Sequence, residues 1–539
     1  MSIKIRNGAK LFVAAAVMLA AVVAVCFYLA VVNREPARQG DVEVLYTSMT
    51  EGDYTYTVFS DYTCEITKYS GAETEISVPG ELNTCPVVAI GDCVFENCDG
   101  LLKVKLPSSV VSIGRRAFAD CALLKSVTLP SGLSYIGEEA FYACKALETV
   151  KTSGKLTLIG DRAFENCFSL EKAVFSGGAE EIGVSAFAGC QKLASVRIGK
   201  GLVTVGNYAF SNCSALEKIE FSDGLRTVGI RAFEKCSSLS KVKLPESVET
   251  VGRFAFTETP WLENAEGFLV VGNGLLVGAG SDVTGSVAIP YGVTAICDAF
   301  ENRADITSVD IPDSVSEIRD AAFKNCTSLE SVNVPESVNR IGAYAFYGCT
   351  ALESVSLPKG ISDVGDWSFF NTAWSKSADF VVGGDGILFG CNVKESTVEV
   401  PSGVKYIAEA FAYSDYKSVV LPNSVEKIFD NAFYGGEKLV SVVFGSEIAK
   451  IGDNAFDGCV LLESLELADG ASVIGKEAFS GCEALESVFL PESLTYIGEN
   501  AFFGCAGLKS AVYEGAAENL VIDAGNEILS SALFDGVER

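Results

Sequence analysis

Hydrophobic positions recur along almost the whole chain at a fixed spacing. A small residue followed by Phe returns at nearly every 23rd residue, and each such Phe is called an anchor here. The anchors are Phe95, Phe118, Phe141, Phe164, Phe187, Phe210, Phe233, Phe256, Phe300, Phe323, Phe346, Phe369, Phe411, Phe433, Phe456, Phe479 and Phe502. Self-similarity at a period of about 20–30 residues is typical of a solenoid, in which each unit buries its apolar face only by stacking on its neighbours. The pattern therefore predicts a stack of about 23-residue coils.

The other apolar positions of each coil keep fixed distances from its anchor. Ile or Val stands five residues before the anchor, usually followed by Gly, and Leu stands six residues after it. Then comes Val-x-Leu-Pro, as in Val127-Thr128-Leu129-Pro130. Alternation over Leu-x-x-Val-x-Leu has the period of a strand with one buried face, and the Pro that follows cannot donate to a ladder. Each coil is predicted to contain a short strand, a turn, a second extended piece ending at Ile-Gly, and a short helical or 3₁₀ turn that carries the anchor.

The period is interrupted after Phe256 and after Phe369, where the next anchor lies 44 and 42 residues away. The two inserts resemble each other, since each carries a Trp followed by Asn-Gly or Asp-Gly between apolar residues. Both dipeptides are strong hairpin signals because their residues tolerate positive φ. Each insert is predicted to replace a coil with a hairpin and to rejoin the stack. Whether the hairpin binds a ligand or is a divergent coil that adjusts curvature is left open.

The amino-terminal residues show a different pattern. Met1 to Lys10 contains three basic residues, and Leu11 to Val32 follows without a charge. About 20 apolar residues span a hydrocarbon core of ~30 Å, whereas the apolar region of a cleaved signal has only ~7–15. We therefore predict an uncleaved signal anchor, with the amino terminus in the cytoplasm and the coils outside the cell. A cleaved signal peptide, or a lipoprotein signal ending at Cys26, would export the coils as well.

These patterns divide the chain into consecutive segments. They are a cytoplasmic basic segment at 1–10, a transmembrane signal anchor at 11–32, a linker at 33–50, an N-terminal β cap at 51–90, repeat blocks at 91–256, 300–369 and 411–512, hairpin inserts at 257–299 and 370–410, and a C-terminal cap at 513–539. Caps are expected because the end coils of a solenoid otherwise expose their apolar faces and strand edges.

Composition excludes several classes of function. The formal charge is −29, from 70 acidic and 41 basic residues, which argues against nucleic acid or an anionic membrane surface as the main partner. The chain has no His, the commonest general base and metal ligand. The sequence contains no catalytic constellation, phosphate-binding loop or calcium-loop spacing. It therefore predicts a protein that is not an enzyme and needs no cofactor or metal.

The 18 cysteines follow the repeat as well. Twelve lie three residues after an anchor, namely Cys98, Cys121, Cys144, Cys167, Cys190, Cys213, Cys236, Cys326, Cys349, Cys459, Cys482 and Cys505. Side chains in such a ladder point in parallel, whereas a disulfide needs converging Cβ vectors. A ladder of buried free thiols is therefore predicted. The cysteines that lie off this ladder include Cys64, Cys85, Cys93, Cys297 and Cys391. The sequence does not decide whether Cys85 and Cys93 form a disulfide.

The full unit is Leu-x-x-Val-x-Leu-Pro-x-x-Leu-x-x-Ile-Gly-x-x-Ala-Phe-x-x-Cys, present almost unbroken at Leu485 to Cys505. It resembles the BspA-like class of leucine-rich repeats of bacterial surface antigens, and the resemblance covers roughly Tyr54 to Phe534. The fold class that follows is an α+β repeat solenoid, capped at both ends. The resemblance implies a right-handed curved array with a parallel β-sheet on its concave face. It also implies surface-exposed proteins that adhere to host or neighbouring-cell proteins or act as binding scaffolds.

Two functions agree with an exported repeat protein that has no catalytic constellation. The first is a membrane-tethered extracellular recognition or adhesion protein, because large repeat surfaces bind macromolecules. The second is a structural scaffold of the cell envelope without a single specific ligand. In both, the ectodomain is expected to be monomeric, and the N-terminal helix is its only contact with the membrane.

One set of side chains is a candidate ligand-binding site. Residues eight and ten after the anchor flank the buried Val of each strand and are predicted to face the concave side. In the coils from Phe95 to Phe233 these positions hold a set that is called the basic stripe here: Lys103, Lys105, Lys151, Lys172, Arg197, Lys218, Lys241 and Lys243. The later coils carry mainly Ser there. The stripe suggests an acidic ligand, either an extracellular protein segment or an acidic glycan, and a solvated surface without a ligand is the alternative.

Overall fold

The computed structural model describes residues 42–154, 156–361 and 363–534. The predicted signal anchor, its basic flank and most of the linker lie outside these residues. None of the helices within these three ranges is long and apolar enough to cross a membrane. The described residues form two compact units, which are 42–243 with Ala255–Thr259 (unit 1) and Leu244–Phe254 with 260–534 (unit 2).

Each regular coil contributes two short strands, and equivalent strands of successive coils pair in parallel. In unit 1 the first strands place Val104 opposite Val127, and the second strands place Ile113 opposite Ile136. Both pairings join residues that are 23 positions apart. The predicted parallel-strand solenoid of about 23-residue coils is thereby confirmed.

The strands of unit 1 fall into two sets. The first strands are Glu75–Ser77, Lys103–Lys105, Ser126–Thr128, Thr149–Thr152, Lys172–Phe175, Ser195–Ile198, Lys218–Glu220 and Lys241–Lys243. The second strands are Cys85–Ile90, Ser112–Ile113, Tyr135–Ile136, Leu156–Ile159, Ala179–Ile182, Thr204–Val205 and Thr227–Val228. The cap adds Val44–Glu51, Tyr54–Phe59, Cys64–Tyr69 and Glu81–Leu82.

Unit 2 repeats the same two sets. Its first strands are Gly285–Ala288, Ile306–Asp310, Ser331–Asn333, Ser354–Ser356, Thr397–Glu399, Ser418–Val420, Ser441–Val443, Ser464–Glu466, Ser487–Leu490 and Ser510–Tyr513. Its second strands are Thr250–Val251, Ala295–Ile296, Glu317–Ile318, Arg340–Ile341, Asp363–Val364, Tyr406–Ile407, Lys427–Ile428, Lys450–Ile451, Val473–Ile474, Tyr496–Ile497 and Val521–Ile522.

The anchor rings form the spine of the core in each unit. Consecutive rings lie nearly parallel, with centroids 4.9 Å apart at Phe95 and Phe118 in unit 1 and 5.0 Å apart at Phe456 and Phe479 in unit 2. These spacings are close to the strand separation of about 4.8 Å, because each ring is carried by one coil of the stack. The rings are buried, so the ladder removes a large aromatic surface from water in every coil.

The anchor Phe411 lies in a 3₁₀ segment as predicted, whereas the turn that carries the anchor in the regular coils is not a helix. It consists of successive hydrogen-bonded turns, such as those from Ala117 N–H to the Gly114 carbonyl and from Cys121 N–H to the Phe118 carbonyl, both 3.4 Å. Arg116, two residues before the anchor, has φ 54° and adopts the left-handed region, which interrupts a right-handed helix.

Helix is therefore scarce in the described residues, and the α part of the predicted α+β class is small. The two α-helices are Pro260–Glu263 and Glu527–Phe534, and the 3₁₀ segments are Trp374–Lys376, Glu409–Phe411 and Ala517–Asn519.

The segment assigned to the linker contains a strand that the sequence did not predict. Val44–Glu51 pairs antiparallel with Tyr54–Phe59, which pairs antiparallel with Cys64–Tyr69. The linker at 33–50 is therefore wrong from Val44 onward. Almost every residue of this strand is exposed, so the strand forms through backbone pairing and shows no apolar alternation.

Each insert contains an antiparallel hairpin. The first hairpin joins Phe268–Val271 to Leu275–Ala279, and the second joins Phe380–Gly383 to Ile387–Cys391. The later strand of each hairpin then pairs in parallel with the second strand of the next coil, as Ile387 does with Tyr406. The hairpins therefore continue the stack through their second strands.

Candidate functional site

The basic stripe lies on the first strands of unit 1. Lys103 and Lys105 flank the buried Val104, as Lys241 and Lys243 flank the half-buried Val242. All eight basic side chains are exposed. Their position beside the Val of the core follows from the alternation of side chains along a strand.

The strand register separates some of these charges and brings two of them together. Lys218 lies directly opposite Lys241, whereas Lys172 has neutral residues opposite it on both neighbouring strands. Like charges that face each other directly are destabilising. Lys151 and Arg197 both lie opposite Val174, which places these two cations two strand spacings apart, about 10 Å.

Only one member of the stripe forms an ion pair within the described residues. Lys243 Nζ donates to Glu220 Oε1 at 2.9 Å. This hydrogen bond raises the pKa of Lys243 and lowers the pKa of Glu220. The other seven cations have no carboxylate within ion-pair distance in the described part of the chain. An external anion can therefore bind them without displacing an internal carboxylate.

The corresponding face of unit 2 has a different chemistry. Its first strands contain no Lys or Arg, and serine hydroxyls follow one another from coil to coil. Ser308 Oγ donates to Ser286 Oγ at 2.8 Å, and Ser441 Oγ donates to Ser418 Oγ at 2.9 Å. The stripe is therefore confined to unit 1.

Eleven of the twelve ladder cysteines are buried hydrogen-bond donors in the core, whereas Cys98, the first of the ladder, is half-buried. Cys213 Sγ donates to the carbonyl of Phe187, the anchor of the preceding coil, at 3.2 Å, and the same bond recurs along both units, as from Cys482 to Phe456 at 3.4 Å. Burial raises the pKa of the Cys121 thiol to about 12. Every cysteine in the described ranges is a free thiol. A high pKa and burial both suppress reactivity, so these thiols have a packing role.

The outer face of the anchor turns in unit 1 carries an ion-pair network that the sequence reasoning missed. Arg116 pairs with Glu96 at 2.7 Å and with Glu139, and Arg162 pairs with the same Glu139 and with Glu165 at 2.5 Å. These residues stand two before or one after an anchor. The signal available in the sequence was the alternation of Arg and Glu at one repeat position.

In unit 2 several of these outer positions carry aromatic side chains, which the sequence reasoning also missed, and Tyr413, two after its anchor, joins them. They are called the aromatic cluster here and consist of Tyr344, Tyr347, Trp367, Phe370, Tyr413 and Tyr434. Trp367 is the centre, since its ring contacts Phe370 at 4.8 Å, Tyr413 at 5.8 Å and Tyr434 at 6.1 Å between centroids. Tyr347 extends the cluster by stacking on Phe370 at 6.1 Å.

An open cleft of about 560 Å³ adjoins this cluster at the second insert. Phe370 and Tyr413 belong to its wall, and Glu409 also lines it. Glu409 Oε1 accepts a hydrogen bond from Phe369 N–H at 2.9 Å. Burial raises the pKa of Glu409 to about 7.

Glu409 takes the place of a backbone acceptor. In regular coils the anchor N–H donates to the carbonyl of the residue before the next anchor, as Phe118 does to Ala140 at 2.8 Å. The insert supplies no such carbonyl to Phe369. Asn526 plays the same part at the C-terminal cap, where its Oδ1 accepts from Phe502 N–H at 2.9 Å.

The described residues contain no group of three or more Cys, Asp or Glu side chains that could hold a metal ion. The structure therefore offers binding surfaces, the basic stripe and the cleft, as its candidate sites.

The repeat matches a known family model. The model described as "BspA type Leucine rich repeat region (6 copies)" matches residues 74–190, 157–267, 283–383 and 404–524, which together cover more than half of the chain. No curated protein matches the chain.

Several solved structures resemble the chain. A leucine rich cell surface protein from Faecalibacterium prausnitzii A2-165 is 24% identical, with 88% of this chain and 97% of that chain covered and a TM-score of 0.29. A leucine-rich repeat protein from Bacteroides ovatus ATCC 8483 is 22% identical, with 88% and 99% covered and a TM-score of 0.30. A T. pallidum leucine rich repeat protein is 26% identical, with 37% and 84% covered and a TM-score of 0.29.

Proposed function

This chain belongs to the BspA-type leucine-rich repeat family, and we propose that it is an exported surface protein that binds an acidic protein partner through the basic stripe. The family is a non-enzymatic repeat scaffold, and it suggests a role in protein binding or adhesion at the surface. Export and tethering rest on the apolar segment at 11–32, whose length and basic flank favour a signal anchor.

One observation carries the proposal. Eight exposed cations occupy equivalent positions on the first strands of unit 1, five on a six-stranded sheet and three on a two-stranded sheet, in a chain whose formal charge is −29. Seven of them have no intramolecular ion pair within the described residues. A positive patch on an acidic protein attracts and orients acidic partners and disfavours basic ones. An acidic segment laid across the strands would meet a cation at about every second coil, roughly 10 Å apart.

The test compares two quadruple variants of the full chain. The stripe variant carries Lys103→Ser, Lys172→Ser, Arg197→Ser and Lys241→Ser. The control carries Lys125→Ser, Lys145→Ser, Lys192→Ser and Lys200→Ser, which removes the same charge from exposed positions outside the stripe. Binding of poly-glutamate and of heparin is measured over a series of salt concentrations, because contacts between exposed charges weaken as salt rises.

We expect the stripe variant alone to lose salt-sensitive binding to poly-glutamate, with unchanged thermal unfolding. Binding of heparin without poly-glutamate would assign the stripe to an acidic glycan instead. Unaltered binding by the stripe variant would overturn the proposal.

Tethering has a separate test. Intact cells that express the full chain are treated with a protease, and a second sample is treated after lysis. We expect the coils to be cut on intact cells while a short membrane-bound fragment remains. Binding of the labelled protein to candidate cells or matrix then separates a recognition protein, which binds, from an envelope scaffold, which does not.

A further inference from the structure

The second insert leaves a gap in the outer row of anchor turns. Between Phe369 and Phe411 no anchor ring intervenes, and Trp374 and Phe389 pack edge-on against Phe369 with centroids 5.0 Å and 5.1 Å away. The hairpin therefore fills the core but supplies no anchor turn outside it. The cleft of about 560 Å³ lies beside this gap, and its size falls within the ~300–1,000 Å³ of small-ligand sites.

Tyr413 is the exposed platform of the cleft. Its side chain is 61% exposed, although Trp367 stacks on it at 5.8 Å with an interplanar angle of 29°. Tyr434 supports it edge-on at 5.5 Å. These contacts hold the ring in place from the protein side and leave an aromatic surface available to a ligand.

The backbone at this platform follows the repeat, in which positions such as Arg116 and Tyr208 also have positive φ. Tyr413 has φ 53° and Trp367 has φ 56°. In most coils the position of Tyr413, two residues after the anchor, is occupied by Asn or Gly. The fold therefore sets the backbone at this position, and the aromatic side chain of Tyr413 is what distinguishes this coil from those with Asn or Gly.

The floor of the cleft provides hydrogen-bond acceptors. Glu409 is 4% exposed, and its carboxylate accepts one hydrogen bond from another residue within the described chain, from Phe369 N–H. A carboxylate has about four acceptor positions. Glu409 therefore retains acceptor capacity towards a ligand that carries O–H donors.

The charges around the cleft do not favour one sign. The lining holds two cations, Lys376 and Lys394, and three carboxyl groups, those of Glu395, Asp415 and the buried Glu409. Asp415 is itself paired with Lys438 outside the lining, at 2.7 Å. A strongly anionic or cationic ligand thus gains little from the cleft, in contrast to the basic stripe.

We propose that this cleft binds an uncharged oligosaccharide, with one sugar ring stacked on Tyr413 and its hydroxyl groups hydrogen-bonded to Glu409 and the neighbouring polar side chains. The C–H face of a sugar ring is weakly electropositive and packs against the negative face of an aromatic ring. A sugar also brings many O–H donors to the acceptors of the floor. A proline-rich peptide would fit the aromatic wall but offers few donors, so the acceptor capacity of Glu409 favours the sugar. This site is separate from the basic stripe.

The experiment uses the full chain and a glycan array that contains neutral and acidic oligosaccharides, with a proline-rich decapeptide as an additional probe. Neutral oligosaccharides that bind are then titrated in solution while tryptophan fluorescence is recorded, since Trp367 and Trp374 both lie near the cleft. Tyr413→Ala is expected to weaken binding by tenfold or more, and Tyr413→Phe is expected to preserve it. Tyr291→Ala is the matched control, because Tyr291 is 86% exposed and belongs to no part of the aromatic cluster.

Neutral oligosaccharide binding that depends on Tyr413 and survives Tyr291→Ala would support the proposal. Loss of binding in Tyr413→Phe as well would contradict the stacking role. Binding of the decapeptide or of acidic glycans alone, or no binding to any neutral glycan, would overturn it. The stripe variant described above is expected to bind the neutral oligosaccharide normally, which keeps this result independent of the proposed function.

Discussion

The outer face of the anchor turns is built in two ways on the same core. In unit 1, Arg116 and Arg162 share Glu139 and form ion pairs from coil to coil. In unit 2, equivalent positions hold Tyr344 and Trp367, which belong to the aromatic cluster. Beneath both faces the anchor rings stack with nearly the same spacing.

This difference shows which positions determine the fold and which are free to vary. A coil needs its Phe, Leu, Val and Ile positions to bury apolar surface against the next coil. The positions two before and one after the anchor lie outside this set, so they hold ion pairs in one unit and aromatic side chains in the other. Binding chemistry therefore varies along a core that stays constant.

The largest effect is expected from removing an anchor ring. Phe187→Ala in unit 1 and Phe479→Ala in unit 2 should each lower the free energy of unfolding by about 3–5 kcal/mol, because both rings are buried between two others and leave a cavity. Chemical denaturation measures both values. Phe503→Ala is the control, since Phe503 is 61% exposed.

Similar losses in the two units would support equivalent cores. A loss below ~1 kcal/mol at either ring would mean that the Phe ladder is not the core of that unit.

The next largest effect is a pH dependence of stability that arises in unit 2, where Glu409 is a buried carboxyl with no cation beside it. Its pKa is raised by burial from 4.5 to about 7. Since the folded-state pKa exceeds the unfolded value, the contribution of this group to stability is fully present below about pH 4.5 and is lost as the pH rises through about 7. The shift corresponds to about 3 kcal/mol.

Glu409→Gln keeps an acceptor for Phe369 N–H but has no charge to bury. We therefore expect the variant to be more stable than the parent by about 3 kcal/mol at pH 8 and nearly equal to it at pH 4. Urea denaturation at both pH values measures the difference, and Glu514→Gln at an exposed position controls for net charge. Equal stability at pH 8 would show that the carboxyl is solvated in the folded state.

The sequence was sufficient to predict the core because the core is periodic. The step of 23 residues, the Val of the first strand, the anchor and the Ile of the second strand each recur with the same neighbours. The same packing of side chains is therefore possible in every coil, and the burial of Val104 and Ile113 follows from it. The placement of the basic stripe beside Val104 could be predicted for the same reason.

The rest could not be predicted because it depends on contacts between residues without a shared period. Tyr413 and Trp367 stand at different repeat positions, two after and two before an anchor, and meet across the insert. The exposed strand Val44–Glu51 is held by backbone pairing, which leaves no apolar pattern. The replacement of a carbonyl by the side chain of Glu409 or Asn526 requires knowledge of which N–H lacks a partner.

A smaller effect is expected for the ion-pair network of unit 1. Glu139 is 8% exposed and accepts hydrogen bonds from both Arg116 and Arg162. Glu139→Gln leaves two guanidinium groups facing a neutral amide and should cost about 1–2 kcal/mol, since both Arg side chains remain partly solvated.

Salt gives the sharper readout for this network. The difference between parent and Glu139→Gln should shrink in about 1 M NaCl, where charges are screened within ~3 Å. Glu148→Gln, at an exposed position of the same unit, is the control. A difference that does not respond to salt would assign the role of Glu139 to packing rather than charge.

The smallest effect on stability is expected from alkylation of the native protein, and it tests whether the two units share one thiol ladder. Cys213 in unit 1 and Cys482 in unit 2 are buried donors to anchor carbonyls, and burial raises the pKa of both. We therefore expect the Cys213 and Cys482 thiols to resist iodoacetamide until the chain unfolds. Cys93 serves as the exposed comparison. Partial burial and a hydrogen bond to Glu96 raise the pKa of its thiol, so we expect it to react in the native state as the pH rises and the thiolate forms. Its modification should change the free energy of unfolding by less than ~0.5 kcal/mol, because it is a surface change away from the core. Mass spectrometry that finds regular disulfide bridges between neighbouring coils would contradict the thiol ladder. Protection of the thiol from iodoacetamide in one unit alone would show that the two cores are not equivalent.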